Sequence, residues 1–294
     1  MKYAVIYHNN CMDGLAAAAA AKHTLGDTAT YLPMQYGDAL PKLEEGLDGV
    51  IFVDFCLKTF DDLKAIAGTG PWVLVIDHHK TAAAALEKAI DVSDAVFNPF
   101  LDDVHPQPGE VYCVYDQGRS GAVLSYEFFV QRPVPQLYLY VQDRDMWWWR
   151  QPRSRSVSAA LADRCFGDPD PIAAFEALPD IKVLASEGDA ILKFQGRVVA
   201  SAVEKSWLAD VVVDGTVHCA AVAHSSSFRS EVGEALLAKY PDAAIAVIRM
   251  VTGDSAVFSL RSRNGGVDVS AIAKRYGGGG HAAAAGFSIP RGVL

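Results

Sequence analysis

Short apolar runs, each ending on an acid or an imidazole, punctuate the first half of the chain. Tyr3-Ala4-Val5-Ile6-Tyr7 leads into His8, Val50-Ile51-Phe52-Val53 into Asp54, and Trp72-Val73-Leu74-Val75-Ile76 into Asp77-His78-His79. Continuous apolar runs of this length read as buried strands rather than as one-sided surface strands. Helical patterns fall between them: Gly14-Leu15 with the alanines that follow, Phe60–Ala67, the alanine-rich stretch Lys80–Ala89, Gly121–Phe129 and Gln136–Gln142. A further short strand is predicted at Ala95–Asn98, and residues 99–119, rich in Pro, Asp and Gly, read as a loop. Strand and helix in alternation predict an α/β fold, a parallel sheet with helices on both faces.

The texture changes around Phe166-Gly167-Asp168-Pro169-Asp170-Pro171. Ala185–Lys205 has the period of one long helix that would connect two domains. Beyond it, strands are predicted at Val217–Ala223, Ala243–Met250, Ala256–Arg261 and Ala285–Ile289. A helix at Glu231–Tyr240 would be capped by Ser225-Ser226-Ser227, and a shorter one opened by Asp268 would stop at Gly277-Gly278-Gly279-Gly280-His281. The domain reading is therefore 1–184, a helical linker at 185–208, and 209–294.

Length and composition bound the function. A chain of 294 residues, 51% apolar, is long enough for two cores. No apolar stretch approaches the ~20 residues that span a bilayer. Five cysteines without paired spacing predict reduced thiols and a cytoplasmic protein. A net charge of −9 argues against a surface built to wrap duplex nucleic acid. It still allows a cleft whose field is reversed by bound cations.

In open α/β sheets, ligands gather at the carboxyl ends of strands. Three strand ends deliver metal-ligating residue types there, and the first loop, His8-Asn9-Asn10-Cys11-Met12-Asp13-Gly14, adds a thiol and a carboxylate. Mixed nitrogen and oxygen ligands from His8, Asp13, Asp54 and His78, with Cys11 as a further candidate, suit Mn²⁺, Fe²⁺, Co²⁺ or Zn²⁺. In the second half, the glycine run could turn backbone N–H groups toward an anion, with Arg261 and Arg263 offering forks for phosphate. The run Trp147-Trp148-Trp149 reads first as packing, with base stacking as the alternative.

Taken together, HNNCMDG, VDF at Val53–Phe55, Asp77-His78-His79, QDRDMW at Gln142–Trp147, and GGGGH with AAGF near the end resemble the DHH phosphoesterase family, its oligoribonuclease- and exopolyphosphatase-like members in particular. The resemblance covers nearly the whole chain. It implies a parallel-sheet catalytic domain, a helical linker and a smaller α/β substrate-binding domain closing over a cleft. It also implies a two-metal centre, typically Mn²⁺, with Mg²⁺, Co²⁺ or Zn²⁺ as alternatives. Asp54 would bridge the ions. Asp13, His78 and an acid of the fourth motif, with Asp143 preferred to Asp145, would complete one site, and His8 with Cys11 the other. His79 would face the scissile phosphate, and Asp77 would support the histidines. Arg261, Ser262, Gly278, Gly279, Gly280 and His281 would grip substrate. Many members carry aspartate where this chain has Cys11, and the softer thiol weakens the case for a hard ion there.

The resulting expectation is a metal-dependent phosphodiesterase that releases mononucleotides from short single-stranded oligonucleotides, with a homodimer as the candidate assembly. Polyphosphate, a cyclic dinucleotide or a small nucleotide phosphate is the alternative substrate within the same chemistry. A metal-poor protein that binds nucleotides or phosphate without turnover is the alternative of another class.

Overall fold

The computed structural model describes residues 1–93, 106–213 and 215–291, and the chain divides into two compact units, 1–191 and 192–294. In the first unit, β1 (Tyr3–His8), α1 (Met12–Leu25), β2 (Ala29–Met34), β3 (Gly49–Val53), α2 (Phe60–Ala67), β4 (Trp72–Asp77), α3 (Ala83–Leu86), β5 (Ile90–Asp91) and β6 (Val111–Tyr115) follow in order. The strands form one sheet in the order β2-β1-β3-β4-β6-β5, and every pairing is parallel. Alternate residues of its strands feed two cores. Val5, Ile51, Leu74 and Val114 face one, while Ile6, Val50, Val73 and Cys113 face the other. Burial on both faces is why these strands are apolar without interruption.

On the first face lie α1, α4 (Gly121–Val130), α5 (Gln136–Asp145), α6 (Ser154–Cys165) and α7 (Pro171–Glu176). Ala16 to Ala21 of α1 are all at most 4% exposed, and small side chains on every side let this helix sit deep between the sheet and α4. On the second face α2 begins with a capping box, Thr59 reciprocating with Asp62.

Several expectations are corrected. Residues 111–115 form not a loop but β6, hydrogen-bonded next to β4. β2, carrying Pro33, is an edge strand with a mixed burial pattern, and so has no apolar run to betray it. The helix expected over Lys80–Ala89 shrinks to Ala83–Leu86, because no side chain caps it and one turn of alanines cannot sustain itself. The strand expected at 95–98 lies outside the described residues.

The division between units falls within α8 (Ile181–Glu204), whose Leu184 and Ala185 join the first unit's core while Val199 and Val203 pack in the second. The second unit continues with β7 (Trp207–Val213), β8 (Thr216–His224), α9 (Arg229–Lys239), β9 (Ile245–Val251), β10 (Ser255–Ser262), α10 (Val269–Arg275), β11 (Gly279–Gly280) and β12 (Ala284–Pro290). Its sheet runs β11-β12-β10-β9-β8-β7, antiparallel except between β8 and β9. Asp268 caps α10 as its position suggests, accepting from Ser270 and Ala271 N–H. The serine run does not cap α9: Phe228 stands at the cap, and Ser225 Oγ bonds Ser227 instead. No helix among the described residues is long and apolar enough to cross a membrane.

Candidate metal centre

The order of the first sheet reverses at β1, whose neighbours are β2 and β3, and such a switch point opens a crevice at the strand carboxyl ends. His8 ends β1, Asp77 ends β4, and Asp54 follows β3 directly. Asp54 has φ 53°, a left-handed conformation that costs a non-glycine residue about 1–3 kcal/mol. Its N–H still donates to Ile76 O at 2.8 Å, so the turn is pinned to the β3–β4 ladder. Asp13, in the first turn of α1, rests on the start of α4: Gly121 N–H donates to Oδ2 at 2.6 Å and Ala122 N–H to Oδ1 at 3.1 Å. A helix N-terminus favours such a carboxylate. Gly121 is required for this approach, since a Cβ there would lie 2.7 Å from Asp54 Cβ.

Around Asp54 the side chains form three groups. His8, Cys11 and Asp54 bring potential ligand atoms within 4.8 Å of one another, and so do Asp13, His78 and Asp145, and Asp54, Asp77, His78 and His79. His78 Nε2 joins the groups, at 3.2 Å from Asp54 Oδ1 and 3.5 Å from both Asp13 Oδ2 and Asp145 Oδ2, while His8 Nδ1 is 3.4 Å from Asp54 Oδ2. Both oxygens of Asp54 are buried with no hydrogen-bond partner among the described residues. Asp77 works differently. Its Oδ1 accepts from the backbone N–H of His78 and of His79 and from His79 Nδ1, at 2.7, 3.1 and 2.7 Å, fixing the His79 imidazole and the backbone that carries both histidines.

Charge explains the acid–base state. Burial pushes the Asp13 carboxyl well above its usual range, and the neighbouring charges of Asp54 and Asp145 push the same way. Burial would raise Asp54 too, but the imidazoles of His78, His8 and His79 hold it well below. Burial depresses His78, yet Asp145, Asp54 and Asp13 around it raise it well above the ordinary imidazole value. Burial, then the charges of Asp54, Asp145 and Asp13, pushes the Cys11 thiol up. Buried carboxylates crowded about one imidazole call for further positive charge, and orphaned carboxylate oxygens are acceptors for it. The donor set, imidazole nitrogen with carboxylate oxygen, fits a Mn²⁺-type ion.

Of the two acids in the fourth motif, Asp145 reaches the cluster and Asp143 does not. Asp143 is 2% exposed, and its carboxylate accepts from Arg150 N–H at 2.8 Å and Gln151 N–H at 3.1 Å. The two residues lie on opposite sides of α5, because a shift of two positions along a helix turns a side chain by more than half a revolution. Tyr36, just beyond β2, was given no role by its position in the chain. Its ring lies 5.3 Å from that of His8 and 6.1 Å from that of His79, and its buried hydroxyl has no hydrogen-bond partner among the described residues. Only its place after an unrecognised strand could have flagged it.

In the second unit the glycine run is not an open anion nest. Gly277 and Gly278 N–H donate to Lys274 O and Ala273 O at the end of α10, and Gly279 and Gly280 pair with Gly286 and Ala285 as β11. A Cβ on Gly278 would lie 2.0 Å from Gly286 O, so close strand packing accounts for that glycine. Arg261 donates to Leu260 O and Ser230 Oγ, and Arg263 to carbonyls of Ala243 and Leu237. Ser262 N–H donates to Ala283 O, and His281 N–H to Ala284 O within its own turn.

Residues 214–293 match the DHHA1 domain. A parallel sheet bearing Asp-His-His at the end of a central strand, followed by that domain, is the arrangement of a DHH/DHHA1 phosphoesterase. Over 309 aligned residues it is 26% identical to an uncharacterized protein of Acanthamoeba polyphaga mimivirus, covering 99% of this chain and 68% of that one. Over 319 it is 26% identical to oligoribonuclease NrnB of Bacillus subtilis, covering 97% and 72%. The crystal structure of RecJ from Thermus thermophilus, in complex with Mn²⁺, superposes with a TM-score of 0.51 at 15% identity, over 99% of this chain and 50% of RecJ, a likeness of fold.

Proposed function

We propose that this protein is a Mn²⁺-dependent phosphodiesterase that releases mononucleotides from short single-stranded oligonucleotides with two metal ions. The observation that carries the reading is Asp54, a wholly buried carboxylate between groups of potential ligands, with neither oxygen hydrogen-bonded among the described residues. Asp13, His78 and Asp145 with Asp54 would hold one ion, and His8 and Cys11 with Asp54 the other. Bound divalent ions supply charge neutralisation of the phosphodiester and a nucleophile from water at neutral pH. The similarity to an oligoribonuclease supports the choice of short oligonucleotides over polyphosphate.

The chain's own residues then orient and protonate. Asp77 engages His79 through Nδ1, so His79 serves the phosphate through Nε2. Burial lowers the affinity of His79 for a proton, but the Asp77 carboxylate more than restores it, favouring the protonated ring that would donate to a phosphoryl oxygen or to the leaving oxygen. Asp77, below its usual carboxylate range, remains the counter-charge. In the second unit Ser262 and His281 offer donors for phosphate. The cysteines, all free, fit a reducing, cytoplasmic setting.

The test is turnover of end-labelled di- to pentanucleotides, polyphosphate and a cyclic dinucleotide with Mn²⁺, for the wild type and Asp54→Asn. Hydrolysis of the oligonucleotides, abolished in a folded Asp54→Asn protein, is the expected result. Unchanged turnover in that variant would refute the site. Tight nucleotide binding without turnover in any metal would favour the binding-only alternative.

A further inference from the structure

Directly beyond Asp145 the chain passes through Met146-Trp147-Trp148-Trp149-Arg150, and this segment is held in an unfavourable conformation. Trp147 and Trp149 have φ of 57° and 56°, each left-handed and costing about 1–3 kcal/mol for so bulky a residue. Asp143 imposes it: its carbonyl accepts from Trp148 N–H at 2.9 Å, and its carboxylate holds Arg150 and Gln151 from below. Trp147 and Trp149 meet edge to face at 4.8 Å, with Arg144 over the first at 4.3 Å and Arg155 over the second at 4.1 Å. Packing accounts for those two indoles.

It does not account for Trp148. That residue is 36% exposed, and its one cation partner among the described residues is Arg150, 5.0 Å from the ring centre. Arg150 is itself exposed and pairs with no carboxylate among the described residues. An exposed indole with an uncommitted guanidinium on one face is a combination that recognises a nucleotide, the ring for a base and the cation for a phosphate. Its place is set by the chain. Successive Cα atoms are ~3.8 Å apart, so Trp148 Cα lies within about 11 Å of Asp145 Cα. A phosphate at the metal centre and the base of its own nucleotide can reach both.

We propose that Trp148 and Arg150 form a nucleotide subsite beside the metal centre, Trp148 stacking the base next to the scissile phosphate and Arg150 pairing with a neighbouring phosphate. The proposal rests on the phosphodiesterase reading and adds a selection to it. Substrates bearing bases are preferred to polyphosphate, and the preference is made by an aromatic face that accepts any base. The strain at Trp147 and Trp149 has a purpose in this account, since it turns the middle indole outward while its neighbours turn in.

The experiment measures hydrolysis and binding of 5′-phosphorylated diadenylate and of its abasic analogue, the latter keeping the backbone without the bases. Wild type, Trp148→Ala, Trp148→Phe and Arg150→Gln are compared, with binding read by calorimetry in chelator so that it does not depend on turnover. Base stacking on an aromatic side chain corresponds to about 5–150-fold in affinity, which is the loss expected for diadenylate in Trp148→Ala. Trp148→Phe restores most of it, and the abasic analogue binds wild type and Trp148→Ala alike. Arg150→Gln flattens the salt dependence of binding by roughly one phosphate contact. Hydrolysis of diadenylate with unchanged KM and affinity in Trp148→Ala overturns the subsite and leaves the enzyme reading intact. Trp148-dependent binding without hydrolysis in any metal keeps the subsite and overturns the enzyme reading. Absence of both binding and hydrolysis in the wild type overturns both.

Discussion

Replacing Asp143 and Asp145 by alanine, one at a time, separates a framework carboxylate from a metal-centre carboxylate two residues away. In Asp143→Ala the N–H groups of Arg150 and Gln151 lose their acceptors at 2.8 and 3.1 Å. Hydrogen bonds to a charged group contribute about 1.5–3 kcal/mol each. Because Arg150 is exposed, water replaces part of this, and the low end, roughly 3 kcal/mol for the pair, is the better figure. At about 2–4 °C per kcal/mol for a domain of this size, Tm falls by about 6–12 °C. Asp145→Ala removes a carboxylate whose buried Oδ2 has no hydrogen-bond partner among the described residues and stands 3.5 Å from His78. Its charge attracts the His78 proton and opposes ionisation of Asp13, so its removal has opposing effects. The metal-free protein then changes by no more than about 1 kcal/mol. Its Mn²⁺ affinity, however, falls by more than the roughly 10–100-fold that loss of a supporting group costs. Thermal unfolding in chelator and calorimetric titration with Mn²⁺ give both numbers for each variant. The reverse pattern, with Asp145→Ala unfolding early and Asp143→Ala losing the metal, would refute the assignment.

Two further outcomes follow from the charges around Asp54. His78 has a raised pKa, so its contribution to stability is complete below about pH 6.5 and is lost as pH rises through its folded value. Asp13, held up by burial, acts in the same direction, whereas Asp54, held down, contributes above about pH 4 and loses its effect only in acid. Metal-free protein is therefore less stable at about pH 9 than at about pH 6, while Mn²⁺ binds more tightly at the higher pH because the imidazole must shed its proton. Urea unfolding in chelator, beside Mn²⁺ titrations at both values, checks this, and equal stability at the two would contradict it. Cys11→Asp supplies a hard oxygen in place of a protonated thiol and raises the Mn²⁺ bound per chain, read as the metal-to-protein ratio after dialysis; a ratio equal to wild type counts against the His8–Cys11–Asp54 group.

Apolar runs with acids and imidazoles at their ends were enough, read in one dimension, to place β1, β3 and β4, to predict a parallel sheet, and to bring His8, Asp54 and His78 to one edge. Local pattern suffices there because the strands are buried on both faces, and buried strands leave no choice of residue. Helix α2 was equally plain as Phe60–Ala67, and the structure adds the capping box of Thr59 and Asp62. Where identity depends on neighbours distant in sequence, the chain is silent. Val111–Tyr115 is a strand because β4 lies beside it, and nothing in the polar stretch around it says so. The glycines at 277–280 read as a phosphate nest, whereas the carbonyls of α10 and the backbone of β12 hold them in close contact. Asp143 and Asp145 have the same side chain two positions apart. Only the packing of α5 determined which carboxylate meets His78 and which is consumed by the backbone of Arg150 and Gln151, because the direction a helical side chain points is fixed by the face its helix buries.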